Sequence, residues 1–134
     1  MYAKLIIVGN LGNDPEMRYT PAGIPVTNFP VAANRKYKRS DGEQVSETTW
    51  FQVSAWNRLA ESTNQYLHKG SKVLVEGRLA PEIKVWTDRN GNPRAGYEVT
   101  AETIRFLTPR GDTRDNGSYE GTEFARVRTD DVPF

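Results

Sequence analysis

Apolar and polar residues alternate with a period of two over most of residues 3–107, the pattern of strands with one covered face. Leu5-Ile6-Ile7-Val8 breaks the alternation. It reads as a strand covered on both faces, ended by the cluster from Gly9 to Pro15. A long second strand is expected over Ile24–Tyr37, with a turn at Ser40-Asp41-Gly42, and a third over Glu47–Trp56. The period then changes. Leu59, Ala60, Thr63, Tyr66 and Leu67 share one helical stripe, with Asn57 placed as an N-cap and Gly70 as a left-handed stop. Val73–Pro81 and Val85–Trp86 read as a fourth strand bent at Pro81. The turn-dense Asp88–Pro93 loop follows, and Tyr97–Phe106 is the fifth strand. The fold class is therefore all-β. Five strands with one helix between the third and fourth is the order of an OB-fold barrel. Pro30, which lacks a ladder donor, demands a bulge or an edge position in the second strand.

The pattern stops near Pro109. The 22 residues Arg110–Asp131 contain three glycines and neither Leu nor Ile, which predicts a disordered tail over 110–134 behind a domain at 1–109. Charge divides at the same place. There are 14 basic and 11 acidic residues through Pro109 and 4 and 6 beyond it, which together make the 18 and 17 of the whole chain. A mildly basic domain thus carries a net acidic tail, whose tip is Asp130-Asp131-Val132-Pro133-Phe134.

Composition narrows the chemistry. With no cysteine, disulfides and thiolate sites have no residues to build them, and the single histidine, His68, rules out a Ser-His-Asp arrangement anywhere else. No cofactor, metal or catalysis is expected, and nucleotide-binding glycine motifs are absent. No apolar run is long enough to span a bilayer, and the short one at Leu5–Val8 is too brief for a signal peptide, so no membrane role is expected. Gly9-Asn10-Leu11-Gly12 matches a GxxG loop by letter but lacks the flanking helices. The carboxylate pairs Asp14/Glu16 and Glu120/Glu123 read as loop surface and tail charge, and His68 as a surface residue late in the helix.

The third strand carries the sharpest functional signal. Alternation puts Phe51, Val53 and Ala55 on one face and Trp50, Gln52, Ser54 and Trp56 on the other. Tryptophans set among polar residues, roughly 20 Å apart at strand rise, suit a platform on which bases stack. Packing under a loop or in a subunit interface is the competing account. Asn34-Arg35-Lys36-Tyr37-Lys38-Arg39 surrounds one ring with four cations, and Lys84-Val85-Trp86 repeats the theme ahead of Arg89 and Arg94. A solvated rim explains any one of these clusters. Three strands that each bring an aromatic beside cations favour nucleic-acid binding.

VGNLGNDPEMRYTPAG, ETTWFQVSAWNRLAE, YLHKGSKVLVEGRL, VWTDRNGNPR and the tip DDVPF together resemble the bacterial single-stranded DNA-binding proteins, in order from Leu5 to Phe106 and again at the tip. The resemblance implies an OB fold, a homotetramer and sequence-tolerant binding of single-stranded DNA in a cytoplasmic, nucleoid-associated setting. It also implies recruitment of replication and repair proteins through Asp130, Asp131, Val132, Pro133 and Phe134. Carried over by motif, the base-stacking residues are Tyr37, Trp50, Trp56 and Trp86. The phosphate-binding cations are Arg58, Lys69, Lys84 and Arg94, to which the residue reading adds Arg35, Lys36 and Lys38. Three features depart from the family pattern: Pro30, a short linker to the tip, and an apolar Phe51 beside Trp50. The alternative reading is an RNA-binding OB module of the cold-shock or translation type. That class lacks the DDVPF tip and carries a closely spaced, glycine-flanked aromatic motif absent here.

Overall fold

The computed structural model describes residues 2–108. The expectations for the tail and its Asp130–Phe134 tip lie outside the described residues. The elements run β1 (Leu5–Leu11), β2 (Glu16–Tyr19), β3 (Pro25–Lys38), β4 (Gln44–Trp56), α1 (Arg58–Tyr66), β5 (Lys72–Leu79), β6 (Lys84–Thr87) and β7 (Pro93–Phe106). Five strands close into a ring. β1 pairs antiparallel with β5, β5 with β7, β7 in parallel with β4, and β4 antiparallel with β3. β3 then returns to β1 through Asn10↔Ala32 and Leu11↔Val31. This is the five-stranded barrel that the alternation predicts, with α1 between its third and fourth strands. β2 adds to β3, and β6 adds to β7.

Closing a small barrel requires bent strands. A side chain at Gly9 would run into the Ala32 carbonyl, and one at Gly77 into that of Thr100, where the β5/β7 register shifts. Gly9 therefore does not end the first strand as its sequence context suggests. The missing Cβ lets β1 pass from β5 to β3 and continue to Leu11. The interior holds Phe29, Leu11, Val31, Val53, Val73 and Val75, all fully buried. The helix closes one end. It buries Ala60 and Thr63, and the Thr27 hydroxyl donates to the Ala60 carbonyl at 2.7 Å.

Several local expectations are corrected. Ile6 and Val8 are 58% and 46% exposed, so β1 is covered on its inner face only within one chain. Pro30 requires neither bulge nor edge. β3 and β4 stay in register past Pro30↔Gln52, and the Pro30 carbonyl accepts the Gly12 N–H on the flank where β3 changes partner from β2 to β1. The missing donor faces that same gap. Asn57 stands at the N-cap position but makes no side-chain cap bond. Its backbone, at φ 59° and ψ −129°, turns the chain so that its carbonyl accepts the Ala60 N–H at 3.0 Å. The helix ends at Tyr66, and Gly70, at φ 90°, lies in the following turn and donates to the Leu11 carbonyl. His68 is therefore outside the helix, with Nδ1 3.0 Å from the Lys69 carbonyl. Asp14 is more than loop surface: its Oδ1 accepts the Lys69 N–H at 2.7 Å, while Glu16 opens β2.

Candidate nucleic-acid interface

Residues paired across a ladder share a face of the sheet, and faces alternate along each strand. The unbroken β3/β4 register pairs Trp56 with Val26, Ser54 with Asn28, Gln52 with Pro30 and Trp50 with Ala32. Followed outward, the same face carries Lys36 opposite Ser46 and Lys38 opposite Gln44. The parallel ladder extends it to β7 through Gln52↔Glu98 and Ser54↔Thr100. From there it reaches β6, where Lys84 pairs with Gly96 and Trp86 with Arg94. Trp50, Trp56, Trp86, Lys36, Lys38, Lys84 and Arg94 thus stand on one continuous outer face, although they come from four strands.

Two candidates from the same sequence cluster do not join them. Arg35 and Tyr37 pair with Glu47 and Val45 on the opposite face. There the Arg35 guanidinium lies 4.7 Å from the centre of the Tyr37 ring, and Glu47 approaches both, at 3.6 Å from Arg35 and 3.4 Å from the Tyr37 hydroxyl. Arg58 opens α1 and is exposed, and Lys69 lies in the turn between α1 and β5, beside the end of β1. Phe51 faces inward. It packs against the core and against Tyr97 at a centroid distance of 5.7 Å.

The face is electrostatically mixed. Lys84 lies 3.6 Å from Glu98, and Arg94 Nε donates to Asp88 at 2.8 Å. Asp88 also accepts the backbone N–H groups of Asn90 and Asn92, both at 2.9 Å. The Asn92 N–H and then Arg94 hold its carboxyl below the ordinary carboxylate value. The sequence reading placed Asp88 in a turn without giving it a role. The signal was present, since Asp followed by Asn at the second and fourth positions is a turn closed by its own side chain. Trp56 is 41% exposed, while Trp50 and Trp86 are half-buried. Rings held partly against a strand face, with cations beside them, can stack planar groups and neutralise phosphates without reading a sequence. Among the described residues no group of three or more His, Cys, Asp or Glu could hold a metal, and no helix is long and apolar enough to cross a membrane.

The model of the single-strand binding protein family matches residues 2–107. The single-stranded DNA-binding protein of Wolinella succinogenes is 43% identical over 125 residues, spanning 93% of this chain and 75% of that protein. That of Helicobacter hepaticus is 44% identical over 114 residues, spanning 84% and 66%. Among solved structures, the small single-stranded DNA-binding protein from Streptomyces coelicolor superposes with a TM-score of 0.64 at 26% identity. That superposition covers 78% of this chain and 93% of the other. Fold, motif order and these matches agree: the chain belongs to the single-strand binding protein family.

Proposed function

We propose that this protein binds and protects single-stranded DNA in replication, recombination and repair, without catalysis. The observation that carries the reading is the gathering of Trp50, Trp56 and Trp86 with Lys36, Lys38, Lys84 and Arg94 on one face by the strand register. Stacking accepts every base, and the cations give affinity that falls with salt. The names of the relatives support DNA over RNA as the ligand. A tryptophan-fluorescence titration tests it: oligo-dT should quench emission with salt-dependent affinity, and tighter binding of oligo-U would favour the RNA-binding module instead.

The protein acts as a homotetramer. The outward residues of β1, Ile6 and Val8, are exposed in the single chain, as expected of a strand face that another subunit covers. Ile6→Glu with Val8→Glu should yield smaller species by light scattering, and an unchanged mass overturns that interface. Asp130 through Phe134 combine two charges with a ring behind a stiffening proline, a composition suited to docking in a basic, apolar-floored pocket of a replication or repair protein. Deleting them should abolish that capture and leave oligo-dT binding intact or slightly stronger at low salt.

A further inference from the structure

Gly96 sits inside β7, where a glycine weakens a strand and is normally there for a close approach. Its backbone does not demand glycine. The turn glycines Gly23, Gly42 and Gly91 have φ of +82°, +90° and +81° with open space where a side chain would go, so their conformation explains them. Gly96 is the reverse case: it lacks a positive φ, but its space is taken. A Cβ there would lie 3.1 Å from both Cη2 and Cζ3 of Trp86, tighter than ordinary contact. The tip of the indole occupies the notch that the missing side chain leaves.

Trp86 needs such a seat. It stands on a strand of four residues that pairs with β7, outside the closed ring. Its direct partner across the ladder is Arg94, whose guanidinium is drawn to Asp88, and Gly96 is the diagonal neighbour, opposite Lys84. The ring is thus laid along β7 toward the barrel, on the face it shares with Trp50 and Trp56. A Cβ at 96 would lift the indole tip by a few tenths of an ångström, and a branched side chain would turn the ring out of the notch.

We propose that Gly96 is the positioning residue for Trp86, fixing the tilt at which this indole meets a base of the bound strand. The proposal rests on the stacking role assigned to Trp86 above, and its test separates the two. Trp86→Ala should lower oligo-dT affinity about 5- to 150-fold. Gly96→Val should lower it to a similar extent, Gly96→Ala by part of that, and Gly96→Val added to Trp86→Ala should cause no further loss. The midpoint of barrel unfolding should not move. In a Trp50→Phe/Trp56→Phe background, where Trp86 is the only reporter, Gly96→Val and Gly96→Ala should shift free-protein emission to the red and raise acrylamide quenching. Should Gly96→Val fail to fold, Gly96→Ala carries the same comparison through emission and affinity. If Trp86→Ala weakens binding while the glycine variants bind and emit as the parent does, the positioning role is overturned and stacking stands. Equal losses with and without Trp86 would make Gly96 merely structural and overturn it too. Unchanged binding by Trp86→Ala would remove the stacking role and this inference with it.

Discussion

The closed barrel and its two hairpin arms are made of the same alternating strands but are held together by different forces. In the barrel, each inward side chain meets others from every side, and Phe29, Val53 and Val75 lose all contact with water. The arms are the outer half of β3/β4, near residues 34–48, and β6 with the facing part of β7. Among the described residues they have no second layer: Val85 is 71% exposed. Local polar bonds hold them instead. Asp41 accepts the Glu43 N–H at 2.9 Å in one tip, and Asp88 organises the other. Burial fixes register in the barrel, since a slip of one residue would turn Trp50 inward and Phe51 outward. The arms inherit that register through thirteen successive pairs from Val26↔Trp56 to Lys38↔Gln44. The core thus decides which face of an uncored arm carries the cations.

The contrast is broken most directly at its two extremes. Phe29→Ala should destabilise the fold by about 3–5 kcal/mol, the cost of deleting a fully buried aromatic. Val85→Ala should change stability by less than about 0.5 kcal/mol. Urea unfolding measures both. A large loss at Val85 would show that the β6–β7 arm is covered in solution, as a subunit contact would require.

The next effect lies in binding. Trp56→Ala and Trp50→Ala should each weaken oligo-dT binding by about 1–3 kcal/mol while leaving the barrel folded. If binding is normal but the assembly dissociates, these rings belong to an interface between subunits.

The barrel was legible in the sequence because burial writes itself as alternation. Val53 and Ala55 fall inward and Trp56 outward, as the period of two requires. The exceptions have physical reasons. Gly9 reads as a breaker, since sequence does not reveal that another backbone crosses at that point. Leu5–Val8 reads as covered twice because the exposed Ile6 and Val8 are as apolar as the core residues beside them. β2 escaped because four residues, three of them exposed, leave almost no periodic signal. Trp50, Trp56 and Trp86 stand out in the sequence by type and context, and the strand register brings them to one face. The Arg35–Lys38 cluster shows the opposite limit. Proximity in sequence suggests one patch, but a strand sends neighbours to opposite faces, and Arg35 and Tyr37 instead meet Glu47.

That separation can be sharpened with salt. Each phosphate neutralised on a single strand contributes about −0.7 to the slope of log K against log salt. Lys36→Ala and Lys38→Ala should flatten the slope by about that amount apiece and weaken different sequences equally. Arg35→Ala should change it little, because its charge faces away from Trp50 and is already opposed by Glu47. If Arg35→Ala flattens the slope most, the strand follows the other face of the arm.

The smallest effect should be confined to one arm. The Asp88 carboxyl is held below its ordinary value of 3.8 by the Asn92 N–H and by Arg94. A carboxyl depressed on folding contributes stability that is complete above its unfolded value and lost as pH falls through the lower folded one. On acidification below the ordinary carboxylate range, Asp88 loses the charge that draws Arg94 and accepts fewer N–H bonds. The β6–β7 arm should then open before the barrel, because no core couples the two. Hydrogen exchange measures this separately at each place: protection at Asp88, whose N–H donates to the Asn92 carbonyl, should fall at a pH where Val53 and Val75 remain protected. Asp88→Asn keeps an acceptor oxygen but removes the charge, and should show the weaker arm already at neutral pH, with little further change on acidification. Loss of arm and barrel at the same pH would mean that the arm is bound into the cooperative core, and the division between the two regions would not hold.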